Sequence, residues 1–226
     1  MDIDDTAAGA APAGFATPAR VRLAGAARDL VDAVLGTLAV DDAVLDAAAR
    51  DITRVAEHVR AEAGHAYGRS GETPPESHDD YLPRSPVVGH ASPIAPPLGW
   101  EVAGDGSVVA RGEFPVACEG PPGYVHGGWV ALTFDEILGI TNAVAGYAGM
   151  TGRLTIRYRR PTPLARPVRV EGRVEKVEGR RIVTRARLLV DGTTTAESEG
   201  LFVRPSPERL REYFGDRPAY GRGSAS

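Results

Sequence analysis

The residues of most chemical interest lie in the stretch GYVHGGWVALTFDE, from Gly123 to Glu136. Asp135 and Glu136 set two adjacent carboxylates in an apolar run. On a helix drawn from Gly127 to about Gly146, Trp129, Val130, Ala131, Leu132, Phe134, Ile137, Leu138, Ile140, Ala143, Val144 and Ala145 cover nearly the whole circumference. A helix apolar all round is a buried helix. Asp135 has Ala131, Leu132, Leu138 and Gly139 as three- and four-residue neighbours. Partial desolvation of a carboxylate there disfavours its charged form and makes it a better base than an exposed one. The two acids sit only ~100° apart on the wheel, so the pattern does not choose between them. Both also fit the single wet stripe of a buried helix.

The start of that helix adds a second kind of group. Gly127 and Gly128 leave backbone N–H groups unshielded by side chains. The first N–H groups of a helix are unpaired and lie at the positive end of its dipole. Such an arrangement can hold a developing oxyanion; a tight turn into the helix would use the same residues. Cys118 lies eight residues before His126, but a Cys–His nucleophile needs a third group to orient it, and none is evident. Cys118 is the only cysteine, which excludes an intrachain disulfide or a thiolate metal cluster. The five histidines (His58, His65, His78, His90, His126) show no metal-ligand spacing.

The elements that must position these groups follow from periodicity. Residues 1–19 are rich in Ala, Gly, Pro and Asp and read as a disordered tail. Residues 20–63 read as two helices, broken near LAVDD with Asp41 or Asp42 as the second cap, packing on the main domain or on a partner subunit. Residues 64–99, dense in Pro, Gly and Ser, read as a linker or a strap over a surface. The compact domain spans 100–204. Two strands at 100–103 and 107–114 join through GDG, and the helix follows. Then come four strand-like stretches, in which Leu154, Ile156 and Tyr158, or Ile182, Thr184, Ala186, Leu188 and Val190, mark one face. Turn signals EG (178–179) and DG (191–192) separate them. The expected fold is α+β, a long helix against one face of an antiparallel meander. In the tail, 205–226, SPERLREYF suggests a short helix capped by Ser206.

The chain of 226 residues carries a net charge of −4, which gives no reason to expect a nucleic-acid partner. No apolar stretch reaches the roughly 18–20 residues of a membrane helix. The first residues lack the basic start and apolar core of a signal peptide, so the expected location is cytoplasmic.

HGGWVALTFDE, TGRLTIRYRRPTPL, KVEGRR and AESEGLFV together resemble the hotdog-fold acyl-CoA thioesterases of the PaaI-like, THEM-type group. The family pattern is His-Gly-Gly, an Asp nine positions after the His and a Thr sixteen after the Asp; here these are His126, Asp135 and Thr151. The resemblance covers about residues 100–204 and implies an acyl-CoA thioester hydrolase. It makes Asp135 the general base or nucleophile, with Thr151 orienting the acid or its water. Gly128, with Gly127, would supply the oxyanion N–H, and His126 would shape the turn and contact the thioester. No metal or cofactor is implied beyond the coenzyme A of the substrate. Trp129 is bulkier than the residue usual after His-Gly-Gly, which would narrow the acyl pocket.

Gly128 and Asp135 are ~10 Å apart along a helix axis at ~1.5 Å per residue. One carbonyl group cannot easily reach both, whereas two antiparallel helices about a twofold can bring one chain's Gly128 to the other's Asp135. The expected assembly is a homodimer, or a dimer of dimers, with shared sites. Between Thr151 and Arg187 stand eleven arginines and Lys176 against Glu171, Glu175 and Glu178. Arginine suits the phosphates of coenzyme A. Arg180 and Arg181 match a basic pair of the family, and Arg159 and Arg160 are further candidates. Two other readings use the same fold: a non-catalytic acyl-CoA-binding protein and a thioesterase acting on a carrier protein.

Overall fold

The computed structural model describes residues 16–62, 82–96, 98–147 and 149–206, together with 208, 209 and 212. Residues 1–15 of the expected tail, residue 63 of the helical stretch, 64–81 of the Pro-rich stretch and most of the expected C-terminal helix lie outside the described residues. At that last helix the Ser206 hydroxyl accepts from the Arg209 N–H at 3.3 Å.

Helix α1 (Pro18–Gly36) opens on Thr17, whose hydroxyl accepts from the Arg20 N–H, with Pro18 at the first helical position. It therefore begins two residues before the expected start. Helix α2 (Asp42–Ala61) is capped by Asp41, which accepts from the Ala43 N–H at 2.8 Å. Strands β1 (Gly99–Val102) and β2 (Val108–Gly112) precede helix α3 (Gly127–Val144); β3 (Met150–Tyr158), β4 (Val168–Glu178), β5 (Arg181–Val190) and β6 (Thr193–Val203) follow. α3 ends where Gly146 takes a positive φ of 78°. The DG turn gives Asp191 and Gly192 φ values of 48° and 75°, the paired positive angles of a two-residue hairpin turn whose twist matches its strands.

Among the described residues the strands form one antiparallel sheet in the order β1-β2-β4-β5-β6-β3. The architecture is the expected α+β, but the strand order corrects the expected meander. β3 does not neighbour β4; it pairs with β6 at the far edge, Tyr158 opposite Ala196 and Met150 opposite Val203. The reason is α3, whose length lies across the sheet on β4 and β5 and carries the chain from one edge to the other before β3 begins.

β5 buries Ile182, Thr184, Ala186, Leu188 and Val190 toward the helix, as its alternation predicts. Phe114, Phe134, Ile137, Leu138, Leu188 and Phe202 form the centre of the core. α3 lies so close to β4 that a Cβ at Gly172 would come within 2.5 Å of Thr141 Oγ1 and 3.2 Å of Ile137 Cγ2. Residues 82–98 also enter this core. Val87 and Leu98 are fully buried in the same cluster as α3. Ser85 organises the segment by accepting from the N–H groups of Val87 and Val88. Helix α1 holds it from outside, where Arg28 donates to the Ser92 carbonyl at 2.6 Å, and also reaches the turn Val116–Cys118, where Asp32 accepts from the Ala117 N–H at 3.4 Å. Part of the apolar surface of α3 is thus covered within the chain. Val44, Leu45, Ile52, Val55 and Val59 of α2 stay exposed in the protomer.

Cys118 sits in the short turn Val116–Cys118 beneath α1 and is 1% exposed. Burial first, and then the Asp32 carboxylate, pushes its thiol up to about 12. A nucleophile must be a thiolate, so Cys118 does not serve as one. Two outcomes follow from this packing. Gly172→Val overpacks the helix–sheet contact and lowers stability by about 1–3 kcal/mol, several degrees of Tm by calorimetry. Cys118 stays unmodified by iodoacetamide at pH 8 in the folded protein and reacts fully in denaturant. The folded thiol holds its proton more tightly than the unfolded one. Its contribution to stability is therefore complete below the ordinary value of 9.0 and declines as pH rises from there toward about 12.

Candidate functional site

Asp135 and Thr151 meet. The Thr151 hydroxyl donates to Asp135 Oδ1 at 2.8 Å, across sixteen residues and two elements. Simple alternation from Leu154, Ile156 and Tyr158 would put Thr151 on the opposite face of β3. A one-residue bulge corrects the register: Thr151 opposes Phe202 and Arg153 opposes Leu201, so Gly152 is passed over. Phe202 points into the core, and Thr151, opposite it, faces the helix. Asp135 is half-buried and Thr151 exposed in the protomer. Glu136, beside it, is also half-buried.

The other half of the predicted site is the start of α3. His126 is the N-cap, and its Nδ1 accepts the Gly128 N–H at 3.0 Å. The amide named from the sequence as an oxyanion donor is therefore engaged by the neighbouring imidazole. The contact is close: a Cβ on residue 128 would come within 3.0 Å of Nδ1. The Gly127 N–H makes no hydrogen bond among the described residues. The carbonyl of Gly127 accepts from Tyr158 Oη at 2.8 Å, a contact that sequence reasoning missed; the aromatic at the end of β3 carried no signal beyond its place in the alternation. His126 and Gly128 are exposed, and Trp129 is half-buried against the core cluster.

The candidate arginines divide. β3 runs from Met150, level with Arg181 through Val203, to Tyr158 beside Arg159 and Arg160. The Arg180–Arg181 and Arg159–Arg160 pairs thus lie ~30 Å apart at ~3.3 Å per residue, and one protomer does not bring them together. Arg159 is ion-paired through Nε and Nη2 to Glu197, at 3.0 and 2.8 Å. Arg160 is exposed and has no ion pair among the described residues. Arg180 Nε donates to the Arg204 carbonyl at 2.7 Å. The Arg204 guanidinium lies 5.1 Å from the centroid of the Tyr147 ring. Arg153, Arg180, Arg181 and Arg204 have no carboxylate partner among the described residues, and they share the sheet end that holds Thr151. Arg204 was not among the arginines picked out from the sequence.

The other basic residues of β4 and β5 are ion-paired. On the sheet's outer face Arg185 pairs with Glu199 and Glu175, Arg187 and Arg169 with Glu171, and Arg173 with Glu175. Partial burial pushes the Glu171 carboxyl up, but Arg187 and then Arg169 outweigh it and hold that carboxyl below the usual range. Among the described residues no group of three His, Cys, Asp or Glu could hold a metal ion, and no helix is long and apolar enough to cross a membrane.

Residues 122–197 match the family model of the thioesterase superfamily. Acyl-coenzyme A thioesterase THEM4 from Xenopus laevis is 35% identical over 91 residues, covering 39% of this chain and 41% of that protein. THEM4 from Bos taurus is 36% identical over 93 residues, covering 40% of this chain and 38% of its own length. The match thus spans about two-fifths of these curated relatives. A solved thioesterase superfamily protein is 36% identical, with a TM-score of 0.74, over 84% of this chain and 93% of that one. This likeness extends well beyond the helix–sheet unit, and with it the chain belongs to the thioesterase superfamily, a hotdog fold with an N-terminal helical region.

Proposed function

We propose that the protein hydrolyses an acyl-CoA thioester to the free acid and coenzyme A. The observation that carries this reading is the 2.8 Å hydrogen bond from Thr151 to Asp135 Oδ1. It fixes one carboxylate oxygen and leaves Oδ2 to accept a proton. In the reaction Oδ2 takes the proton of a water as that water attacks the thioester carbon. The carbonyl oxygen becomes an oxyanion, held by the amides at the start of α3. The Gly127 N–H is available as it stands, and the Gly128 N–H becomes available when the His126 imidazole turns toward the substrate. Collapse of the tetrahedral intermediate breaks the C–S bond and releases the coenzyme A thiolate. Direct attack by Asp135, through a mixed anhydride, uses the same groups; single turnover in ¹⁸O-labelled water puts label on the carboxylate only along that route.

The site is shared between two copies. Within a protomer the amides and the carboxylate lie ~10 Å apart along one helix. The strand that touches both, β3, has no neighbouring strand on its other side among the described residues. Tyr124, Leu132, Met150 and Tyr158 leave apolar surface around them, as an unformed interface would. Antiparallel docking of two copies sets the amides of one against the Asp135 of the other. Arg180 and Arg181, with Arg204, offer guanidinium groups to the coenzyme A phosphates. Trp129 limits the acyl pocket.

Asp135→Asn lowers kcat by about 10²–10⁴, read as free thiol released from acyl-CoA substrates. Thr151→Ala lowers it about tenfold. A wild-type rate in Asp135→Asn would end the enzyme reading and leave an acyl-CoA-binding protein. Sedimentation gives a dimer or a multiple of it, and co-expressed Asp135→Asn and Gly128→Val chains recover activity that neither has alone. A fully active monomer would contradict the shared site.

A further inference from the structure

We infer that Tyr158 is the positioning residue for the oxyanion amide. The inference rests on the reading that the α3 amides hold the thioester oxygen. The Gly127 carbonyl and the Gly128 N–H belong to one planar peptide group. Tyr158 Oη donates to that carbonyl at 2.8 Å, and His126 Nδ1 accepts that N–H at 3.0 Å. One peptide unit is therefore gripped at both ends, from two different elements. The His126 grip comes from the same turn and moves with it. The Tyr158 grip comes from the sheet, 31 residues away, and refers the helix start to a rigid strand.

This peptide needs such a reference. It joins two glycines, which have the most backbone freedom of any residue and a low tendency to stay helical. It also lies in the first turn, where a helix frays. When the imidazole turns away for substrate, the Tyr158 bond is the side-chain restraint left on the peptide. The ring lies against this residue: a Cβ at 127 would meet Oη at 3.4 Å and Cε1 and Cζ at 3.5 Å, ordinary contact distances. A hydrogen bond to the carbonyl also polarises the peptide group and strengthens its N–H as a donor. Tyr158 does not reach the reacting atoms; it acts by orienting and polarising the group that does.

Tyr158→Phe removes one O–H and keeps the ring. In the full-length protein it lowers kcat by about tenfold, with KM changed less than about twofold and Tm unchanged. A lost transition-state contact behaves this way, whereas lost packing would move Tm as well. In ¹⁵N–¹H spectra without substrate the Gly128 amide proton moves upfield and exchanges faster with solvent, while the Asp135 amide stays in place. Tyr158→Leu adds a loss of Tm to the same kinetic defect. A Tyr158→Phe protein with wild-type kcat and an unmoved Gly128 amide overturns the inference, as does a fall in kcat matched by a fall in Tm. The two readings fail separately. Full activity in Asp135→Asn sinks the thioesterase assignment, and the Gly128 amide shift still tests Tyr158. An inactive Asp135→Asn beside a wild-type Tyr158→Phe sinks this inference alone.

Discussion

Helix α3 has little polar surface with which to face water, and where its faces go decides the rest of the molecule. One face lies on β4 and β5 at a distance that only Gly172 permits. Residues 82–98 add buried Val87 and Leu98 to the same core. At ~1.5–3 kcal/mol for each large apolar side chain buried, Phe134, Ile137, Leu138 and Ile140 tie the helix firmly to the sheet. That rigidity lets its remaining stripe carry exposed amides and a carboxylate. A helix held less tightly would not keep Asp135 at hydrogen-bond distance from a strand.

Charge is arranged with the same division of labour. The outer face of the sheet alternates arginine and glutamate across strands, from Arg159–Glu197 to Arg187–Glu171. Exposed pairs of this kind are each worth ~0–1 kcal/mol, so their effect is less on stability than on field: Glu171, Glu175, Glu178, Asp191, Glu197 and Glu199 offset about half of the basic side chains between Thr151 and Arg187. Arg153, Arg180, Arg181 and Arg204 lack acidic partners at one sheet end, and Arg157 and Arg160 lack them toward the other, among the described residues. The larger group of guanidinium groups without acidic partners lies at the end that also holds Thr151 and its partner Asp135.

Much of this was legible in the sequence. The bounds of α3, the β5 face and the DG hairpin follow from residue types alone, because periodicity and turn chemistry are local. The pairing of Asp135 with Thr151 was foreseen from spacing that matched a family, not from alternation. Alternation would have turned Thr151 outward, since a bulge at Gly152 leaves no mark in a hydrophobic pattern. The strand order was not legible: period two says which way a side chain points and nothing about which strand lies alongside. The arginine partners depend on that same register, so a basic run could not be told from a paired one. The His126 and Tyr158 contacts were hidden for another reason. They depend on how a loop closes against a strand end, and neither residue type nor spacing encodes that.

The placement of β3 also orders events in time. Met150 pairs with Val203 and Tyr158 with Ala196, so β3 has no partner strand until β4, β5 and β6 exist. The three later strands form successive hairpins through short loops, which close quickly; the β3–β6 pairing closes a loop several times longer and comes late. Until then the strand that carries Thr151 is an open edge, and a growing chain meets its greatest risk of wrong association there. The segment last to be secured in the protomer is the one that carries Thr151 and Tyr158. A pause in the synthesis of residues 168–203 therefore leaves the unpaired β3 open to wrong association for longer.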